Sequence, residues 1–210
     1  MKNTKQKILG AALSLFNRDG YVNVRLQHIA DKTGISIGNL GYHFKHKEEM
    51  LLAIYERLSN QQRLLLVNTS LSPIFENLDF FFSSLFELQQ QFTFFYLDIL
   101  ELTRANEVLK SQQQEHIQWQ QSQLGLLLQM HQARGALSWE EADTSLDDLS
   151  QNLWRMIDFW LMMQRVEGKD TQDYQAYRKS VWGIIRPFFT ADGAREFDQL
   201  NALQEPIKLG

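Results

Sequence analysis

The chain has 210 residues, a formal net charge of −4, 44% hydrophobic and 12% aromatic residues, a composition ordinary for a globular protein with a substantial core. It contains no cysteine, which excludes a disulfide framework, a thiolate metal site and a cysteine nucleophile, and fits a reducing, cytoplasmic setting. Only 3 prolines and few β-branched runs point to an all-α fold.

Lys2, Lys5 and Lys7 precede a mostly apolar run from Ile8 to Phe16, which imitates a secretory signal. Asn17-Arg18-Asp19 interrupts that run at once and no small-residue cleavage site follows, while Ile8, Ala12, Leu15 and Phe16 form one helical stripe. The reading is an amphipathic first helix from about Thr4 to Arg18, stopped at Gly20. A short second helix is expected over about Leu26 to Lys32, stopped at Gly34. Ser36 suits the N-cap of a third, from Ile37 to about Phe44, because its hydroxyl can accept from an orphan backbone N–H. A fourth begins near Lys47, with Glu48 and Glu49 in the first turn, where the helix dipole favours anions.

Beyond Ser72-Pro73 the pattern gives longer helices, roughly Pro73–Gln89, Phe92–Arg104, Glu107–Arg134, Ser145–Val166 and Thr171–Phe189, broken at Pro73, Gly135, Gly168 and Pro187. No element is assigned from Thr190 onward. The carboxylate pairs Glu140-Glu141 and Asp147-Asp148 lie beside helix starts, where capping explains them. The greasy runs Phe80-Phe81-Phe82 and Phe94-Phe95-Tyr96 fall short of the roughly 20 apolar residues needed to span a bilayer, so no membrane partner is expected.

The organisation is thus a small head, residues 1–48, a connecting helix at about 47–66, and a larger helical body, residues 67–210. Charge divides the same way: residues 1–58 carry +4, with nine Lys or Arg against five Asp or Glu, and residues 59–210 carry −8. A basic head on an acidic body is the footprint of a nucleic-acid binder.

The informative stretch is Ile29 to Met50, IADKTGISIGNLGYHFKHKEEM. A helix, a glycine turn and a short helix opened by Ser is the bihelical arrangement that lays its second helix in a major groove. Asn39 can pair bidentately with adenine, Ile37 can meet a thymine methyl, and Gly38 allows close backbone approach. Tyr42, His43, Lys45 and Lys47 can reach phosphates, which fix register rather than read sequence. Tyr42 and Phe44 are equally compatible with core packing. His28, His43 and His46 do not make a metal site, having no thiol or clustered carboxylate beside them.

This wording resembles the DNA-binding domain of the tetracycline-repressor (TetR/AcrR) family, through Ile29-Ala30, Gly34, Ile35-Ser36, Gly38, His43-Phe44, Lys47 and Glu48, with Gly20-Tyr21 closing the first helix. The resemblance covers about residues 4–55. It implies an N-terminal three-helix helix-turn-helix domain, an operator on double-stranded DNA as partner, and a helical C-terminal domain for regulation and dimerisation. Three departures stand out. Gly41 occupies the place of a phosphate-contacting Tyr, Arg25 that of a capping Thr, and Gln27 that of an Arg. A glycine has no side chain to reach a phosphate, and Tyr42 next to it can do so instead.

In the body, Leu146, Leu149, Leu153, Met156, Trp160 and Met163 step by 3 and 4, as do Tyr174, Tyr177, Val181, Ile184 and Phe188. Such seams suit long helices packed at shallow angles, within one chain or between two. The resemblance implies the second, a homodimer across the last two long helices. It also implies a mostly apolar effector pocket in the body, for which Tyr96, His116, Trp119, Arg155 and Asp158 are the polar candidates, with Asp98, Gln120 and Gln123 nearby.

The expectation is a repressor released from a pseudo-palindromic operator by a small molecule, with no cofactor and no metal. Two other readings stay open: a dimeric DNA-binding protein without a ligand, and, more remotely, a helical enzyme. Against the last, the chain has no Gly-rich phosphate loop, no Gly-x-Ser-x-Gly elbow and no His-Glu-x-x-His.

Overall fold

The computed structural model describes residues 2–140 and 143–204, so Glu141 of the first carboxylate pair lies outside the described residues. The helices are α1 (Lys2–Asp19), α2 (Leu26–Thr33), α3 (Ile37–His43), α4 (Lys47–Ser70), α5 (Phe75–Gln91), α6 (Thr93–Ala105), α7 (Glu107–Ala133), α8 (Leu146–Val166), α9 (Tyr174–Ile185) and α10 (Ala191–Gln204). No strand occurs among the described residues; an isolated bridge joins Leu137 and Phe189.

Local chemistry explains the boundaries. Ser145 and Asp148 cap α8 reciprocally, the serine Oγ accepting from the Asp148 N–H at 3.1 Å and donating to Asp148 Oδ2 at 2.6 Å. Asp173 caps α9 by accepting from the Ala176 N–H at 2.9 Å, which starts that helix three residues later than the apolar pattern does. At the other end Pro187 has no N–H to donate, and α9 gives way to a 3-10 turn, Arg186–Phe188. The apolar pattern does not reveal α10. That helix buries only Phe197 and Leu200 among its large apolar side chains, too sparse a stripe to announce itself.

The compact units do not follow the expected division at residues 48 and 67. One comprises Met1–Gln62 with Leu88–Glu115; the other comprises Arg63–Glu87 with His116–Gly210. The breaks fall inside α4, α5 and α7, where continuous helices leave no composition shift to read.

In the first unit Ile8, Ala12 and Phe16 of α1 are fully buried, in keeping with the stripe. The α1 end is fixed to α6 by Asn17, whose Nδ2 donates to the Gln91 carbonyl at 2.8 Å while its Oδ1 accepts from the Phe94 N–H at 3.1 Å. Phe16 packs on Phe94 at 5.3 Å between centroids. Asp98 accepts from the Tyr21 N–H at 3.5 Å, and burial raises its carboxyl above the ordinary aspartate range.

In the second unit the buried Asp79 of α5 receives both Arg178 Nε, at 2.7 Å, and Trp182 Nε1, at 2.6 Å, from α9. Arg178 also donates to Asn201 of α10 at 3.0 Å, so one carboxylate ties three helices together. Phe75, Phe189 and Phe197 pack with Trp182 in one aromatic cluster, ring centroids 4.7 to 6.0 Å apart. The α10 start is held by Thr190, whose hydroxyl donates to the Gly135 carbonyl at 2.6 Å, and a Cβ at Gly193 would collide with the Ala136 carbonyl.

Asp79→Ala leaves the Arg178 guanidinium buried without its counter-charge and should cost about 3–5 kcal/mol in urea unfolding. Asp79→Asn, which keeps an acceptor, should cost less.

Two buried histidines make this unit acid-sensitive. His131 accepts from Arg134 at Nδ1, and burial with the Arg134 charge lowers it to about 4. His116 is also lowered to about 4, by burial and then Arg63. Both are neutral when folded and take up a proton near 6.5 when unfolded. The contribution of the two rings to stability should therefore be flat above pH 6.5 and fall towards pH 4, by at most about 1.4 kcal/mol per pH unit for each ring. Denaturant titrations with His131→Gln and His116→Gln, each with a shallower fall, would check this.

Candidate nucleic-acid interface

The turn between α2 and α3 is set by Gly34 at φ 71°, in the left-handed region. Its N–H reaches back to the carbonyls of Ala30 and Asp31, closing α2. Ser36 follows in extended conformation, and its Oγ accepts from the Asn39 N–H at 3.2 Å, the cap expected from sequence.

The seven residues of α3 have one buried anchor, Leu40, fully enclosed. Phe44, just past the helix, is also core, with Lys5 Nζ 5.1 Å from its ring centroid. The remaining face is open. Ile37 is 46% and Tyr42 73% exposed, Asn39 is exposed, and a Cβ at Gly38 or Gly41 would meet nothing within 4 Å. Packing thus makes no demand for glycine at position 41. His43 is half-buried, its ring 5.4 Å from that of Tyr42, and Lys45 is exposed.

This surface can present an amide fork, an apolar side chain and a phenol to a ligand. Near its edge Arg25 is exposed; its backbone N–H donates to His28 Nδ1 at 3.2 Å, so His28 takes part in capping α2 where the Thr is missing. Gln27 donates to Asp31 on its own helix at 2.7 Å.

Lys47 differs from the expectation of a phosphate contact. Its Nζ donates to the carbonyls of Tyr21, at 2.7 Å, and Val24, at 2.9 Å, and lies 4.1 Å from the Tyr21 ring centroid. Burial lowers its ammonium below the usual lysine value. A cation so committed pins the loop after α1 to the start of α4. Lys7 and Lys32 are likewise engaged internally, by Thr33 O at 3.0 Å and Ser14 Oγ at 2.7 Å. The lysine count announces the positive charge of this segment but not how its side chains are used.

Of the five polar candidates for an effector site, the structure brings His116 and Trp119 into contact. Tyr96 belongs to the first unit, where its hydroxyl accepts from Gln62 Nε2 at 3.0 Å; the other four belong to the second. Trp119 stacks on His116 at 5.6 Å and carries the Arg63 guanidinium at 4.4 Å. Arg155 is exposed and donates to Asn152 and Gln151 of its own helix. Burial pushes the Asp158 carboxyl up to about 7.

The seam on α8 and α9 divides between core and accessible surface. Leu153, Tyr177 and Val181 are fully buried in the unit's own core, while Leu149 and Trp160, though nearly enclosed, also line an accessible cleft. Leu146, Met156, Ile184 and Phe188 remain accessible. Met156, Ile184 and Phe188, with Leu149, Trp160 and Met163 of the same stepping, line a cleft of about 730 Å³ together with Asn152, Phe159 and Gly183, which the stepping does not select. These helices carry two apolar stripes, one closing the core and one lining the cleft, and the regular stepping mixes residues of both.

Residues 8–54 match the family model described as bacterial regulatory proteins, tetR family, and residues 59–197 match TetR, bacterial transcriptional repressor. The HTH-type transcriptional regulator QacR of Staphylococcus aureus is 28% identical over 123 residues, 55% of this chain and 65% of that one. RutR of Escherichia coli is 39% identical over 54 residues, 26% of each chain. Both matches span less than two thirds of the relative's length. Among solved structures, a TetR-family regulator from Marinobacter aquaeolei has a TM-score of 0.82 at 23% identity, covering 94% of this chain and 97% of that one. A transcriptional regulator from Saccharomonospora viridis in complex with choline has a TM-score of 0.72 at 22% identity, covering 89% and 97%.

Two substitutions separate reading from scaffolding. Asn39→Ala should weaken specific DNA binding by about 1–3 kcal/mol and relax preference at one base pair, without changing thermal stability. Lys47→Met should chiefly lower the melting temperature, through a loss of about 1–3 kcal/mol from unsatisfied carbonyls. A salt slope smaller by about one unit with melting unchanged would return Lys47 to phosphate binding.

Proposed function

The chain belongs to the TetR family of bacterial transcriptional repressors, and from that premise we propose that it is a homodimeric repressor released from a pseudo-palindromic operator by a small molecule. The observation that carries the DNA-binding half is the open face of α3, where Ile37, Gly38, Asn39 and Tyr42 point outward from a helix anchored only by Leu40. Asn39 reads adenine, Ile37 meets a thymine methyl, and Tyr42, His43, Lys45 and Arg25 hold the phosphates. Ser36 and Gln27 flank the same face.

Dimerisation is supported by the accessible apolar cleft on α8 and α9. A cleft lined by Met156, Phe159, Met163 and Ile184 exposes apolar surface that a second copy would cover by twofold symmetry. No helix among the described residues is long and apolar enough to cross a membrane, and we place the protein in the cytoplasm with its operator.

The ligand-responsive half draws support from related folds solved with choline and with triclosan. In this chain α4, α5 and α7 contribute residues to both units, so an event in the second has a covalent route to the first. An effector can shift the operator equilibrium only by its differential affinity, and a coupling of about 1–3 kcal/mol corresponds to a 5- to 150-fold loss. Footprinting on duplexes selected by the protein would define the operator; protection of a single half-site would overturn the dimeric reading.

Charge placed on the accessible stripe should act differently from charge in the core. Met156→Glu or Ile184→Glu should give a folded monomer in sedimentation that has lost operator affinity. Val181→Glu should instead unfold the second unit, because its site is fully enclosed.

A further inference from the structure

The first unit contains an accessible groove of about 320 Å³ between α1 and α4, and every residue lining it belongs to that unit. Helical spacing builds it. Lys5, Leu9 and Leu13 recur at intervals of four on α1, while Ala53, Arg57 and Asn60 recur at four and three on α4. Ala53 contributes only a methyl group, which leaves room between the two stripes. The lining is apolar where it is deepest: Leu9, Leu13, Ile54 and Phe92 are all buried.

The rim is charged and uncommitted. Lys5, Glu56 and Arg57 are exposed, and none of the three forms an ion pair among the described residues. Lys7 and Lys47 of the same unit give their ammonium groups to backbone carbonyls instead. Lys5 places its Nζ 5.1 Å from the Phe44 ring centroid, an attraction that uses up no N–H donor. An apolar floor under a few polar groups is the composition of a small-ligand site, and the volume lies at the small end of the usual range of roughly 300–1,000 Å³.

The rim also states which polar groups the ligand carries. Two cations against one carboxylate favour an anion, and the guanidinium of Arg57 matches a carboxylate through two parallel hydrogen bonds. Glu56, next to Arg57 on α4, can only accept. It therefore favours a ligand with a hydrogen-bond donor beside its own carboxylate. We propose that this groove binds a small apolar α-amino or α-hydroxy acid. The carboxylate pairs with Arg57 and Lys5, the α-substituent donates to Glu56, and the side chain packs on Leu9, Leu13, Ile54 and Phe92. A ligand so held joins α1 to α4 and stabilises the helix-turn-helix by mass action. The site is separate from the effector response proposed above and does not depend on it.

The test follows the methyl resonances of Leu9, Leu13 and Ile54 in the full-length protein during titration with four probes: L-phenylalanine, L-phenyllactate, 3-phenylpropanoate and 2-phenylethylamine. The first two should shift these methyls saturably. The third, lacking the α-donor, should bind more weakly, and the amine, lacking the carboxylate, should leave them unmoved. Arg57→Gln should reduce affinity for phenyllactate by about 10-fold or more. Glu56→Gln should erase the preference for phenylalanine over 3-phenylpropanoate. Both side chains are exposed, so the melting temperature without ligand should be unchanged in each variant, which separates a binding loss from misfolding. No saturable shift from any probe, shifts confined to other parts of the chain, or binding indifferent to Arg57→Gln would each overturn the site. Equal affinity for 3-phenylpropanoate and the α-substituted acids would overturn the ligand class, as would binding of the amine.

Discussion

A helix of seven residues cannot stand on its own hydrogen bonds, because nucleating a helix costs more than two turns return. The geometry of the helix-turn-helix depends on meeting that cost from outside α3. Leu40 and Phe44 bury its underside, Ser36 satisfies its first turn, and Gly34 allows the chain to reverse immediately before it. Lys47 then closes the arrangement from the far end by gripping the Tyr21 and Val24 carbonyls. With every supporting contact on one side, the other side is left free of structural duty. That is the physical reason two glycines, an asparagine and an exposed tyrosine can occupy a helix whose own propensity is poor.

The same economy extends into α6. Asn17 uses both ends of one amide to join the end of α1 to the α5–α6 junction, and Asp98 receives the next free N–H, that of Tyr21. These bonds explain why α6 and the first part of α7 form one compact unit with the DNA-facing helices. Neither residue belongs to an apolar stripe. Their importance lies in satisfying backbone groups at helix ends, where four donors or acceptors are otherwise orphaned.

The second unit shows how environment assigns roles to chemically identical groups. Asp79 is buried and has a guanidinium and an indole N–H beside it, whereas Asp158 is only partly buried and has neither. The first is a fastener for α5, α9 and α10. The α8 and α9 helices divide similarly, with one stripe closing the core and another lining an accessible cleft.

Sequence alone determined the class of fold, the first four helices, the Gly34 turn and the Ser36 cap. All of these rest on local rules: helical periodicity, capping chemistry and the freedom of glycine at positive φ. Tertiary structure decided what no local rule encodes. A lysine in a basic segment can serve phosphates or backbone carbonyls, and only the position of the Tyr21–Val24 loop shows that Lys47 serves the latter. A 3-and-4 stripe marks an apolar face, but which neighbour covers it is set by the packing of α5 and α9, so Leu153, Tyr177 and Val181 proved internal. The division into units runs through the middle of three helices, where sequence is continuous and only distant contacts differ. Whether a buried aspartate is paired depends likewise on residues far along the chain, as the separation of Asp79 from Arg178 illustrates.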